Sequence, residues 1–282
     1  MPEKSFDIIE RIRNEYLDLT AAERKVADYV LDAESNVQFM SITQLAEECG
    51  VADATVSRFC RTLELRGFNA FKLEIAKCAR PRTAPAKDVS TDSAEGRKAE
   101  VIRLGIDAIE QTAAMVSDEN VLKAVQLFEN ARRVVCLGSG GSMIMASTFA
   151  NLFSTVANNF FSLPDSHAQL SAAASLSQDD VIVMFSYSGS TTIGLQILEV
   201  AKNRGVKTVL LTRYVKSPAA KLADVVLCCG TNESPLQTGS VPAKIAQLVV
   251  MDILYQEYCH RNREACDDQI NSIATAMSGT HL

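Results

Sequence analysis

The stretch "VIVMFSYSGSTTI", residues 181–193, passes without a break from an apolar run into five hydroxyl-bearing residues set around one glycine. An unbroken run of valine, isoleucine, methionine and phenylalanine bounded by small polar residues is the pattern of a strand buried on both faces of a sheet. Ser186, Tyr187, Ser188, Ser190 and Thr191 then fall where that strand hands over to a helix. At such a junction backbone N–H groups and hydroxyls converge on a helix N-terminus, which favours an anion.

The same handover occurs once before. "CLGSGGSMI" closes an earlier apolar run and supplies Ser139, Gly140, Gly141 and Ser142. Around these two loops, short apolar runs alternate with longer amphipathic stretches. "RVVCLG" (133–138), "NFFSL" (159–163), "DVIVMFS" (180–186), "KTVLLT" (207–212) and "DVVLCC" (224–229) read as five strands. Helices are predicted near 141–157, 165–175 and 191–204, with a short one at "SPAAKLA" (217–223) and a long final one from about 241. Strands joined by helical crossovers form a parallel sheet flanked by helices, because right-handed connections cover both faces. Ligands of such sheets bind outside the carboxyl ends of the strands, so the two loops are expected to border one crevice.

The loop chemistry narrows the ligand. "GSGGSM" begins like a dinucleotide fingerprint, but Met143 stands at the third glycine position and no acidic residue closes "NFFSL". A Walker loop needs a lysine beside its Ser/Thr, and neither loop has one, so no nucleotide or other cofactor is called for. Two readings stay open: the small residues only permit tight turns, or they cradle one phosphate monoester with a polar tail, such as a sugar phosphate. Two hydroxyl-rich loops in register favour the second. His167 and Gln169 in "PDSHAQL" and Glu233 in "GTNESPLQTGS" are candidate partners for the tail.

Upstream the pattern is entirely helical. In "FDIIERIRNEYLDL" the apolar positions Phe6, Ile9, Ile12, Tyr16 and Leu19 make one stripe, and Thr20 with Glu23 has capping-box spacing. "SITQLAEECGVADATVSRFCRTLEL" has the layout of a helix-turn-helix: Ser41 as cap, Leu45, Ala46, Val51, Val56 and Phe59 inside, and Gly50 at the turn. Helices are expected at about 41–49, 53–64 and 68–79, with Asp53 as N-cap of the second. The start of that second helix is expected to expose Asp53, Thr55, Ser57, Arg58 and Arg61. Between 54 and 80, six basic residues face two acidic ones in a chain whose formal net charge is −6. A local basic stripe on a reader helix is the footprint of a duplex binder. Ser41, Thr43, Thr55, Ser57, Arg58, Arg61 and Lys72 are the candidate DNA contacts; a solvated face of a helical bundle is the plainer alternative. "PRTAPAKDVSTDSAEGR" (81–97) reads as a linker, giving a domain at 1–80 and another at 98–282.

With 282 residues, 47% hydrophobic and 22% charged, the chain can bury two ordinary cores and has no stretch apolar enough to span a membrane. Its N-terminus lacks the apolar region of a secretory signal, so a cytoplasmic location is expected. The eight cysteines are scattered and read as reduced, and three distant histidines without paired cysteines argue against a zinc site.

"LTAAERKVADYVL…MSITQLAEECGVADATVSRFCRTLELRGFNAFKLEIA" resembles the N-terminal domain of the RpiR family of bacterial transcription regulators. "GSGGS…DSHAQL…FSYSGSTTI…ESPLQTGSVPAKIAQLVVMD" resembles the sugar isomerase (SIS) domain that follows it. The resemblance implies an all-α helix-turn-helix domain followed by an α/β SIS domain. The regulator would form a homodimer or homotetramer, bind pseudo-palindromic operator DNA, and answer to a phosphosugar. It further implies that Ser142, Ser186, Ser188 and Thr191 hold phosphate, and that Glu233 lies near an acid which SIS enzymes use on the sugar. Two positions depart from the family: Glu64 stands where a glycine usually follows the leucine, and Lys244 is a candidate replacement for a charged ligand contact. The rival reading is a phosphosugar isomerase or lyase. A sensor acting on a protein partner is a third. The apolar face of "AKIAQLVVMDILYQEY" is either a subunit contact or packed on its own sheet.

Overall fold

The computed structural model describes residues 8–32, 37–78, 93–230 and 240–278. The chain divides into two compact units, with the division between residues 103 and 104.

The first unit is helical: α1 (Ile8–Glu15), α2 (Ala21–Leu31), a 3-10 turn at Val37–Phe39, α3 (Ile42–Glu48), α4 (Asp53–Thr62) and α5 (Phe68–Cys78). Its core gathers Ile12, Val26, Leu45, Val56, Phe59, Leu63 and Phe71, all without exposed surface. Thr20 and Glu23 form the expected reciprocal cap of α2. Burial alone would raise the Glu23 carboxyl, but hydrogen bonds from Thr20 and Thr62 outweigh it and hold its pKa below the ordinary value. Ser41 and Gln44 make a second capping box on α3. Gly50, at φ +62°, ends α3: its N–H reaches the Glu47 carbonyl, and that of Val51 the Ala46 carbonyl. This double closure needs a left-handed residue.

At the end of α4 the same closure recurs with Glu64 as the left-handed residue. Glu64 has φ +55°, its N–H bonds the Arg61 carbonyl at 2.8 Å, and Leu65 bonds Cys60 at 2.9 Å. Glu64 therefore ends the helix as a glycine would, at a steric penalty glycine avoids. Its ion pair with Arg11 is 3.7 Å long and the carboxylate is 82% exposed, so the pair offsets little of that penalty.

Helix α6 (Ala94–Met115) crosses the division between the units. It is longer than the predicted linker allows: Ser93 accepts the Gly96 N–H as an N-terminal cap, so residues 94–97 are helical rather than part of the connection. The second unit continues with α7 (Asp118–Asn130), β1 (Arg133–Gly138), α8 (Gly141–Phe153), β2 (Phe160–Ser162), α9 (Ser166–Ser175), β3 (Asp180–Phe185), α10 (Thr192–Asn203), β4 (Lys207–Thr212), β5 (Val225–Cys228), α11 (Val241–Arg261) and α12 (Arg263–Met277).

The five strands form one parallel sheet in the order β2-β1-β3-β4-β5. One face packs on α7, α8 and α11, where Phe128, Phe149, Phe153 and Phe160 meet edge-on or stacked. The other face packs on α9 and α10 through Leu137, Ile182, Leu198 and Leu210. Residues 217–223 make successive turns instead of the predicted short helix. The Ala219 N–H bonds the Gly189 carbonyl, and the Ala220 and Leu222 N–H groups close turns on the Ser217 and Ala219 carbonyls. The final helical stretch breaks at Asn262, where Arg261 and Asn262 both grip Glu129. Ala246, Val250, Met251 and Leu254 of α11 pack in the core of their own domain, while Leu248 of the same stretch is exposed. Among the described residues no helix is long and apolar enough to cross a membrane.

Replacing Glu64 with glycine is expected to stabilise the first unit by about 1 kcal/mol in thermal or urea unfolding. No gain, or a loss, would contradict the assignment of strain to this residue.

Candidate functional site

The strand order reverses between β1 and β3, whose last residues Gly138 and Phe185 are paired in register. From β1 the chain leaves towards β2, and from β3 towards β4, so the 139–142 and 186–191 loops open away from each other at a topological switch point. The two hydroxyl-rich loops therefore leave from adjacent strand ends.

Both loops depend on glycines. Gly140 is the N-cap of α8 at φ +56°, and a Cβ on Gly138 would lie 2.8 Å from the Ser142 carbonyl carbon. Gly189 has φ +60°, and a Cβ there would overlap the buried Ser217 side chain. Like α4 and α12, neither α8 nor α10 has a side-chain cap hydrogen bond, in contrast to α2, α3, α7 and α9. In α10 no side chain caps the first turn, whereas in α8 the Ser142 and Met143 N–H groups already bond the Ser139 and Gly140 carbonyls. Ser186 is buried, with its hydroxyl 3.4 Å from that of Thr191, which is exposed. Ser188 accepts the Ser190 N–H, while the Ser190 hydroxyl turns back to the Ser188 carbonyl. Ser190 is consequently occupied by its own loop. Ser139 and Ser142 are half-buried on the opposite side.

The second loop is tied down from behind. The Tyr187 carbonyl accepts from the Arg213 N–H at 3.0 Å and the Thr212 hydroxyl at 3.1 Å. The Tyr187 ring lies against Gly230, where a Cβ would stand 2.5 Å from its hydroxyl, and the Gly230 N–H bonds Thr112 of α6. His167 is exposed in the first turn of α9, and Lys244 half-buried in the first turn of α11. Gln169 is not a surface partner for a ligand tail: it is 1% exposed, and its Nε2 donates to the Gly138 and Leu163 carbonyls, each at 2.8 Å. Glu233 lies outside the described residues. Among those described, no group of three His, Cys, Asp or Glu is placed to hold a metal.

In the first unit, α4 presents Arg58 and Arg61 exposed and Ser57 half-buried. Four other predicted contacts are turned inward. Ser41 caps α3, and buried Thr43 donates to the Asp53 carboxylate at 2.8 Å, tying α3 to α4. Asp53 is thus the first residue of α4, not its cap; Ala52 holds that position. Thr55 is 6% exposed because it lies on the core side with Val56 and Phe59, and the ammonium of buried Lys72 is 5.8 Å from the Phe68 ring centre.

Residues 6–81 match the model of the helix-turn-helix domain of the rpiR family, and residues 127–256 match that of the SIS domain. The chain is 32% identical over 251 residues to an uncharacterised HTH-type transcriptional regulator of Caldanaerobacter subterraneus, covering 88% of this chain and 89% of that one. This chain belongs to the RpiR family of transcriptional regulators. An HTH-type regulator of Thermotoga maritima is 29% identical, with 96% and 98% of the two chains covered. Among solved structures, the Vibrio vulnificus NanR protein complexed with ManNAc-6P superposes with a TM-score of 0.87 at 24% identity, over 97% of this chain and 99% of that one. The sugar isomerase domain of an RpiR transcription factor from Sphaerobacter thermophilus gives 0.58 at 22% identity, over 63% and 98%.

The sequence singled out the two loops but not what braces them. Thr212, Arg213 and Ser217 carry no motif, and only their place at or just after the end of the strand "KTVLLT" could have flagged them. The inward turn of Thr55 was legible in principle, since it lies next to Val56 and four residues before Phe59 on the core stripe.

Proposed function

We propose that this RpiR-family regulator reads operator DNA with residues 1–80 and senses a phosphosugar with residues 98–282, holding the phosphate between the 139–142 and 186–191 loops. The observation that carries the reading is the pairing of two uncapped helix starts, α8 and α10, with hydroxyl-rich loops at one switch point. Ser139, Gly140, Ser142, Ser186, Ser188 and Thr191 supply hydroxyls and amides to the phosphate. His167, Lys244 and Glu233 are assigned to the sugar. The complex of NanR with ManNAc-6P supports a sugar phosphate as the class of effector. On the DNA side, Ser57, Arg58 and Arg61 make the contacts. Ser41, Thr43, Thr55 and Lys72 set the geometry of the helix pair from inside.

The reading is of a sensor and not an isomerase or lyase. Relatives similar over nearly their whole length are named transcriptional regulators, and a helix-turn-helix serves no isomerisation. The effector acts by binding one arrangement of the assembly better than another, since only differential affinity shifts the spacing of two DNA-reading domains.

A homo-oligomer follows from α6. Its buried seam is made of small residues, Gly105, Ala108 and Thr112, whereas Val101, Ile102, Ile106 and Ile109 are 64%, 53%, 49% and 44% exposed. A helix that turns its large apolar residues away from its own domain is built to be covered, and a two-fold partner covers like with like. Such symmetry matches a pseudo-palindromic operator.

Two measurements test this. In a binding assay on a DNA fragment selected by the protein from a random-sequence pool, a phosphosugar effector shifts the affinity of the wild type. The Ser188→Ala/Thr191→Ala variant keeps the affinity and loses the shift; a variant responding like wild type would refute the phosphate assignment. In sedimentation, Ile102→Lys/Ile106→Lys is expected to run at a lower oligomeric state than the wild type, and an unchanged state would remove α6 from the interface.

A further inference from the structure

The end of β1 poses an electrostatic problem for an anion site. The Gly138 carbonyl closes β1 at the start of the first loop, and the Leu163 carbonyl follows the last residue of β2, the strand paired with β1. Carbonyl lone pairs facing a phosphate would repel it. The Gln169 amide removes that repulsion: its two Nε2 hydrogens go one to each of these carbonyls, both at 2.8 Å. The Met143 sulfur, in the first turn of α8, is also 3.2 Å from this nitrogen.

The orientation of the amide is decided by its partners. Exchanging oxygen and nitrogen would set an acceptor against two acceptors. The choice leaves Gln169 Oε1 buried with no hydrogen-bond partner. A side chain that only filled space would leave nothing unpaired, and leucine or methionine would do so at this position. The burial of Gln169 also keeps it from touching a ligand in the crevice.

We propose that Gln169 is a positioning residue of the anion site: it fixes the Gly138 and Leu163 carbonyls and screens their negative ends, so that the 139–142 loop offers a phosphate only N–H and hydroxyl groups. The inference rests on the reading of the crevice as a phosphate site. Its specific consequence is that the group at 169 must donate two hydrogen bonds. A carboxylate donates none, a protonated carboxyl one, and a thioether none.

The test measures binding of inorganic phosphate and of glucose 6-phosphate by calorimetry for wild type, Gln169→Glu and Gln169→Met, each from about pH 8 to about pH 5.5. Melting temperature and operator affinity are followed alongside. Expressed relative to wild type at each pH, which cancels the titration of phosphate itself, Gln169→Met is expected to be weaker by about tenfold throughout. Gln169→Glu is expected to be weaker still at high pH and to recover as its carboxyl takes up a proton. Operator affinity without effector stays at the wild-type value. Phosphate binding unchanged in both variants overturns the proposal, as does a loss that follows the melting temperature with no pH dependence. If neither variant folds, the side-chain amide protons of Gln169 in the wild type decide by NMR: both remain slow to exchange with and without phosphate, and fast exchange overturns the proposal. A wild type that binds neither anion rejects the phosphate reading itself, before any variant is compared, and the proposal falls with it.

Discussion

A parallel sheet covered on both faces has no free surface except at the ends of its strands. The inner strands β1 and β3 are paired on both sides and buried along almost their whole length. Polar chemistry must therefore leave from the carboxyl ends, and it leaves most openly where the connections diverge. The adjacency of β1 and β3 brings the starts of the two loops together, and the proposed site follows from that single topological fact. The glycines at 138, 140 and 189 let the backbone turn there, and Thr212, Ser217 and Gln169 hold the turns from behind.

Much of this was legible because the controlling forces are local. Apolar runs of strand length, hydroxyls at their ends and a capping box at Thr20 are written in adjacent residues, and the five strands, their helices and the two loops appear where the pattern put them. What was not legible depends on partners distant in sequence. Residues 217–223 have the composition of a helix turn, but they close as successive turns, with the Ala219 N–H held by Gly189 of a distant loop. Asn262 breaks a continuous apolar pattern because Glu129, far back in the chain, grips both it and Arg261. Gln169 looked like a surface ligand contact, and only the meeting of three chain segments reveals it as a buried brace.

The reader shows the same division. Its helices and its core were readable from periodicity, whereas the fate of individual polar side chains was not. Thr43 and Lys72 carry the chemistry of a DNA contact, yet one binds Asp53 and the other lies over Phe68. A short hydroxyl or a lysine on an amphipathic helix serves packing as readily as recognition, and one residue of helical rotation decides between them. The exposed arginines of α4 are unaffected by that ambiguity.

The central claim is that one phosphate engages both loops at once. Hydrogen–deuterium exchange of the intact protein with and without a phosphosugar effector tests it most directly. The account predicts slowed amide exchange in two separate segments, 139–143 and 186–194, on addition of the effector. Slowed exchange in only one of them, or protection confined to a region away from the ends of β1 and β3, would contradict it.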